Sequence, residues 1–103
     1  MTDFAWYDEE ASMTRSEDPA ALLNAALGLA GEVGEVIELI KKERFHGVLA
    51  NTHTLRKELG DVLFYLSWVA NLYGVSLSSV AQTNIQKLRE RYPNGFVSGG
   101  GIR

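Results

Sequence analysis

Four acidic residues, arranged as two pairs, are the side chains of this sequence best suited to chemistry. Glu32 and Glu35 form the first pair, and Glu58 and Asp61 form the second. Residues three apart lie on one face of an α-helix, so each pair presents its carboxylates side by side. If the two segments are antiparallel helices, the pairs converge, and their charges repel unless a cation neutralises them. The spacing therefore predicts a site for Mg²⁺, or for Mn²⁺ in its place.

The surroundings of Asp61 favour the same interpretation. It is the only residue with a formal charge within residues 59–73. A buried carboxylate without a partner costs several kcal/mol, so Asp61 must be exposed, paired, protonated or bound to metal. A salt bridge to Lys41, Lys42 or Arg56 is the structural alternative, although it does not account for a second acid at the matched spacing.

A second set of polar residues suits phosphate. Asn84, Lys87 and Arg91 follow one another at i, i+3 and i+7, on one face of a predicted helix. Two cations and an amide can donate hydrogen bonds to phosphate oxygens. A solvated helix face would show the same pattern, and these residues alone do not separate the two interpretations.

The elements that must position these groups are helices. Apolar residues recur at helical spacing, and no stretch alternates as a strand would. We predict four helices: one capped by Thr2 and ending near residues 15–17, one from Asp18-Pro19 to about Arg44, one capped by Thr52 or Thr54 and running to about Tyr73, and one from Ser76 to Pro93. The sequence thus predicts a single all-α domain over residues 1–103, with a glycine-rich tail from about residue 97 that we expect to be mobile.

The predicted second helix is apolar around most of its circumference, which is typical of a buried helix. Its narrow polar stripe carries Gly28, Gly31 and the first acidic pair, with Gly34 at the edge. Each helical glycine costs ~1 kcal/mol relative to alanine, so we expect a helix or ligand to approach this stripe closely. A wet acidic face with incidental glycines is the alternative. One chain has too few other helices to surround so apolar a helix. We therefore expect a helical bundle completed by homo-oligomerisation, as a homodimer or a dimer of dimers.

Composition argues against several classes of function. The chain has 103 residues, no cysteine and a net charge of -3, which disfavours thiolate metal sites and binding to nucleic acid polymers. The start of the chain lacks a signal-peptide pattern, and the apolar run 62–73 is shorter than the ~20 residues that span a bilayer. We therefore expect a cytoplasmic protein without a membrane span. Glu43 and His46 match one half of a di-iron motif, but the second half is missing.

Three longer segments contain the acidic pairs and the phosphate-type residues. They read GLAGEVGEVIELIKK, KELGDVLFYLSWVANLYGVSL and NIQKLRERYPNGF. In this order they closely resemble the MazG-like nucleotide pyrophosphohydrolases, an all-α family marked by Glu-x-x-Glu and a later Glu-x-x-Asp. The resemblance covers about residues 22–96. It implies an Mg²⁺-dependent enzyme that hydrolyses (deoxy)nucleoside triphosphates to a monophosphate and pyrophosphate, which would suit the removal of noncanonical nucleotides.

The resemblance also implies roles for individual residues. The four metal ligands would be Glu32, Glu35, Glu58 and Asp61, and the triphosphate would be contacted by Asn84, Lys87, Arg91 and Tyr92. Tyr65 resembles an aromatic residue that lines the nucleotide site. Glu38, one turn beyond Glu35, could be a general base, an outer partner of the metal, or an ion-pair partner of a nearby lysine. For Trp6 we consider base stacking, against a place in the core or an interface.

Three other functions stay open on the sequence alone. A metal-stabilised helical dimer could bind a nucleotide or regulate a partner without turnover. Within the enzymes, a dUTPase or a phosphoribosyl-ATP pyrophosphohydrolase would share the chemistry and differ in substrate. No set of residues here specifies hydrogen bonds to one base.

Overall fold

The computed structural model describes residues 3–47, 49 and 51–95, which form four α-helices and no strand. The helices are α1 (Phe4–Ser12), α2 (Leu22–His46), α3 (Thr52–Leu72) and α4 (Leu77–Arg91), and a 3-10 turn, Pro19–Ala21, leads into α2. The all-α prediction is confirmed. The glycine-rich tail and Thr2 lie outside the described residues.

The first helix differs from its prediction at both ends, since Asp3 rather than Thr2 is its N-cap. Asp3 caps α1 by accepting a hydrogen bond from the backbone N–H of Trp6, at 2.8 Å. The helix ends at Ser12 rather than near residues 15–17, because the following segment turns Arg15 onto α3. Asp18 and Pro19 start the next element as predicted, since the Asp18 side chain accepts from the N–H of Ala20 at 2.9 Å.

The caps of the later helices follow the residue chemistry. The prediction of Thr52 or Thr54 as the cap of α3 was wrong. Asn51 caps it instead, and its side-chain oxygen accepts from the N–H groups of His53 and Thr54. Asparagine is among the strongest N-caps, and its position here leaves both threonines within the first turn. Ser76 caps α4 as predicted.

Two glycines allow the turns that end α2 and α3. Gly47 follows α2 with φ +67°, and Gly74 follows α3 with φ +74°. Both values lie in the left-handed region, which glycine adopts without a steric penalty. α2 therefore ends at His46, two residues later than predicted, and α3 ends at Leu72.

The helices pack as one long pair with two shorter helices at one end. α2 and α3 make the most extensive contact, and α1 packs on both α3 and α4. α4 leaves α3 at a bend of 98°. Among the described residues the buried positions are few: Ala11, Ala25, Ser67 and Leu77.

One chain leaves the apolar surface of α2 largely uncovered. Leu27, Ile37 and Ile40 are each more than half exposed, and Ala25 is the one residue of the helix that is buried. A single chain therefore does not bury the second helix, as its small number of helices led us to expect, and burial of this helix in an oligomer stays a prediction. The segment Pro19–His46 also has the length and mean hydropathy, 1.4, of a helix that could cross a membrane. The core helix of a soluble protein meets the same criterion of length and composition, and 6% of this window is buried within the single chain.

Candidate metal and substrate site

The packing of α2 on α3 gathers three carboxylates at one place. Glu32, Glu58 and Asp61 each offer an oxygen, and these three oxygens lie within 4.8 Å of one another. We call these three residues the acidic group. Glu32 and Glu58 are half-buried, and Asp61 is exposed. The fourth sequence candidate, Glu35, is exposed and lies outside the group, although its charge is near enough to raise the pKa of Glu32.

The electrostatics of the acidic group are those of crowded like charges. Partial removal from water raises the pKa of Glu32, and the negative charges of Asp61, Glu58 and Glu35 raise it further. The charges named here are all acidic, so they oppose ionisation of Glu32 rather than stabilise it. A bound cation would reverse this effect.

The donor set fits a hard divalent cation. Mg²⁺ and Mn²⁺ prefer oxygen ligands, and Mg²⁺ takes six of them in an octahedron. Three carboxylates leave positions for water and for phosphate oxygens, and the exposure of Asp61 keeps one side of the group open to solvent. Glu35 and Glu38 are exposed on α2, and of the two only Glu35 is among the charges that act on Glu32.

An aromatic side chain lies against the α2 backbone one turn before Glu32. A Cβ at Gly28 would stand 2.3 Å from Cε1 of Tyr65, so the ring occupies the space that any other residue would need. Tyr65 also stacks on Trp68, with ring centres 5.8 Å apart and planes at 23°. The predicted close approach to the glycine stripe therefore occurs at Gly28. A Cβ at Gly31 or Gly34 would meet nothing within 4 Å in this chain.

Helix α1 brings a tyrosine that the sequence analysis missed. Burial raises the pKa of Tyr7, the positive charge of Arg15 lowers it, and the charge of Asp61 raises it. Tyr7 thus lies within electrostatic range of the acidic group. With Phe4 and Leu63 it also lines a small cavity of about 260 Å³. The 3-4 spacing of α1 indicates an apolar stripe, but it carries no signal for this proximity.

A chain of hydrogen bonds that the sequence analysis also missed connects α1 to α3 and α4. The Asp8 carboxylate accepts from the hydroxyl of Ser67 at 2.7 Å and from the N–H of Leu77 at 2.8 Å. Arg15 donates to the Ser67 hydroxyl at 2.9 Å and also to the side-chain oxygen of Asn71. We call these five residues the corner network.

The predicted phosphate residues lie on α4, apart from the acidic group. Asn84 and Lys87 are exposed and line a surface groove of about 350 Å³ with Val75, Ser79, Val80 and Thr83. No residue of the acidic group lines this groove in the part of the chain that the structure describes. Arg91 is half-buried at the end of α4 and Tyr92 follows it, also half-buried. Trp6 is 46% exposed on α1.

Comparison with known proteins gives two matches of different kinds. The family model of the MazG nucleotide pyrophosphohydrolase domain matches residues 21–96. Gene 37 protein of Mycobacterium phage L5 is 40% identical over 79 residues, which are 73% of this chain and 69% of that protein. The search of solved structures found no match. The residues matched by the family model include the acidic group and α4, whereas α1 precedes them.

Proposed function

We propose that this chain, which belongs to the MazG nucleotide pyrophosphohydrolase family, hydrolyses (deoxy)nucleoside triphosphates to the monophosphate and pyrophosphate with Mg²⁺ as cofactor. The observation that carries the proposal is the acidic group. Three carboxylates from two helices place oxygens within 4.8 Å of one another, and the charges around Glu32 are negative. Such an arrangement suits a divalent cation, and the triphosphate is a substrate that brings phosphate ligands to it.

Different residues of the chain have different roles in the proposed reaction. Glu32, Glu58 and Asp61 would hold the ion, with Glu35 as a further ligand or as an acceptor of a hydrogen bond from water. Mg²⁺ bound there supplies neutralisation of the triphosphate charge and a lower pKa for the attacking water. The water oxygen bonds to the α-phosphorus, the bond from that phosphorus to the bridging oxygen breaks, and pyrophosphate leaves. A glutamate of α2 outside the acidic group, Glu35 or Glu38, accepts the proton of the water.

The remaining candidates bind the substrate. Asn84, Lys87 and Arg91, with Tyr92, would contact the phosphates and stabilise the charge that develops on pyrophosphate. Because Asn84 and Lys87 line a groove apart from the acidic group of their own chain, this contact requires a triphosphate that spans the two or an acidic group supplied by a second copy of the chain. Tyr65, held against Gly28 one turn from Glu32, offers a ring face for the nucleoside. Trp6 is more than two-fifths exposed and is a further stacking candidate.

The exposed apolar surface of α2 supports a proposal for the assembly. Leu23, Leu27, Ile37 and Ile40 are between 57% and 69% exposed on one helix. Contiguous apolar surface of this kind marks an interaction site, and a second copy of the chain would cover it with an equivalent helix. The proposed active form is therefore a homodimer or a dimer of dimers.

Product analysis by phosphorus NMR tests the reaction. Ribo- and deoxynucleoside triphosphates, including noncanonical ones, are incubated with and without Mg²⁺. The proposal requires equal amounts of monophosphate and pyrophosphate, formed with Mg²⁺ only. Orthophosphate with a nucleoside diphosphate would show attack at the γ-phosphorus. Absence of turnover for every triphosphate would favour a nucleotide-binding or regulatory module.

A further inference from the structure

The junction between α3 and α4 is a right-angle corner that long-range hydrogen bonds restrain in addition to the local turn. Four residues, 73–76, connect the helices, and the bend between them is 98°. α4 is held at its first turn, where Leu77 is 3% exposed, while the groove residues further along it are exposed. A small change of angle at the corner would therefore move the far end of α4 by several ångströms, since the helix is ~22 Å long.

Asp8 joins the two arms of this corner. One carboxylate oxygen accepts from Ser67, which is fully buried on α3, and the other accepts from the N–H of Leu77, the first residue of α4. That N–H belongs to the first turn, where helix amides lack partners within the helix. A negative charge is also stabilised at a helix N-terminus. One side chain of α1 thus holds both helices at fixed positions.

The rest of the corner network restrains the same junction. Arg15 donates to Ser67 and Asn71, and the amide group of Asn71 donates to the backbone oxygen of Val75, at 2.9 Å, within the connecting turn. Among the described residues no buried side-chain nitrogen or oxygen lacks a hydrogen-bond partner. A satisfied network that is partly buried favours one geometry, because other arrangements leave polar groups unpaired.

We infer that Asp8 is a positioning residue, which sets the angle of α4 to α3 and thereby places Asn84 and Lys87 for the phosphates of the substrate. The second half of this inference rests on the proposed function, and the first half does not. Asp8 touches neither substrate nor metal in this scheme, and it lies in α1, before the residues that the family model matches.

Distances between two spin labels test the angle without reference to activity. The chain has no cysteine, so Lys57→Cys on α3 and Glu90→Cys on α4 provide the two attachment sites. Each lies roughly 20 Å from the corner, and at a right angle the labels stand roughly 30 Å apart. The labelled chain is mixed with excess unlabelled protein, so that only distances within one chain contribute.

Asp8→Asn is the informative variant, because asparagine keeps the shape and can accept with one atom only. We expect the folded variant to show a distance distribution broader by several ångströms than wild type. Glu9→Gln, at the exposed neighbouring position, is the matched control and should leave the distribution unchanged. Ser67→Ala is the second variant, used if Asp8→Asn does not fold. It removes the hydroxyl that links Asp8 to α3 and should broaden the distribution in the same way. An unchanged distribution in the folded variant would overturn the inference.

Activity then tests what the angle does. With Mg²⁺ and a triphosphate that the wild type hydrolyses, we expect Asp8→Asn to lower kcat/KM about tenfold or more, as misplaced binding groups do, with Mg²⁺ affinity unchanged. A broadened distribution with wild-type kcat/KM would overturn the inference that the angle of α4 places Asn84 and Lys87 for the phosphates. If no triphosphate is hydrolysed, the proposed function fails while the spin-label result still decides the role of Asp8 at the corner.

Discussion

At the residue scale, the acidic group is a cluster of negative charges that repel one another in the folded chain. Glu32, Glu58 and Asp61 bring oxygens within 4.8 Å, and the pKa of Glu32 is raised by burial and by its acidic neighbours. We propose that such a group serves to bind a cation rather than to stabilise the fold. Two predictions separate these roles.

Asp61→Asn should abolish activity while leaving the metal-free protein at least as stable as wild type, because one repelling charge is removed. Mg²⁺ should raise the melting temperature of wild type much more than that of the variant, by binding linkage. Thermal melts with and without Mg²⁺ check both statements. A variant that melts markedly lower without metal and still hydrolyses substrate would identify Asp61 as a structural residue.

The raised pKa of Glu32 predicts a pH dependence of the metal-free protein. The folded state binds this proton more readily than the unfolded state, so the free energy of unfolding should fall as the pH rises through the raised pKa of Glu32. Asp61→Asn should reduce this dependence. Urea titrations of metal-free protein across the acidic pH range measure this dependence. A free energy of unfolding that rises with pH in wild type, and does so less in Asp61→Asn, would contradict the raised pKa of Glu32.

Lys87→Ala should slow the reaction and leave Mg²⁺ affinity nearly unchanged, since the proposed contact of Lys87 is to phosphate and not to the ion. Arg89→Ala is the matched control, because Arg89 is an exposed cation on the same helix that lines a different groove. Steady-state kinetics and Mg²⁺ titrations provide the comparison. Equal losses of rate in the two variants would show that Lys87 acts only through its positive charge and not through a specific contact with phosphate.

At the element scale, the decisive contact is that of Tyr65 with the backbone of α2. The helix accepts this ring only because residue 28 has no side chain. Tyr65 also stacks on Trp68, three residues further along α3, and its contact with Gly28 lies one turn of α2 before Glu32. Periodicity and composition predicted the four helices and the glycine stripe, but not which glycine meets a ring, because that depends on the offset between two packed helices.

Gly28→Ala should destabilise the protein although alanine favours a helix by ~1 kcal/mol. The new Cβ would overlap the Tyr65 ring, and relieving such overpacking costs about 1–3 kcal/mol. Gly34→Ala, on the same helix with nothing within 4 Å, is the control and should gain stability. Urea denaturation compares the two, and an equally stabilised Gly28→Ala would show that Tyr65 moves aside without cost.

At the scale of the whole molecule, the single chain is an open arrangement. Among the described residues four are buried, while the long α2 exposes leucines and isoleucines along its length. A bundle formed with a second copy would bury them and would place further helices near the acidic group. The free energy that stabilises the fold would then come in large part from association.

Gly31→Leu should weaken this assembly, because a Cβ at Gly31 meets nothing in its own chain and a larger side chain there would obstruct a partner helix. We expect light scattering to show an oligomer for wild type and a smaller species for the variant. The melting temperature of wild type should rise with protein concentration. A stable wild-type monomer at all concentrations would contradict the shared bundle.

The amino-acid sequence was sufficient for the helices and for the two acidic pairs, since both follow from the 3.6-residue period and from caps that act within a few residues. It also carried the family, because the three motifs stand in order. The crossing of α2 and α3 decided that Glu32 joins Glu58 and Asp61 while Glu35 stays outside. Tertiary structure likewise joined Asp8 to Ser67 and Leu77, 59 and 69 residues away along the chain. Contacts at such separations depend on the angles and offsets between helices, which no local pattern of residues encodes.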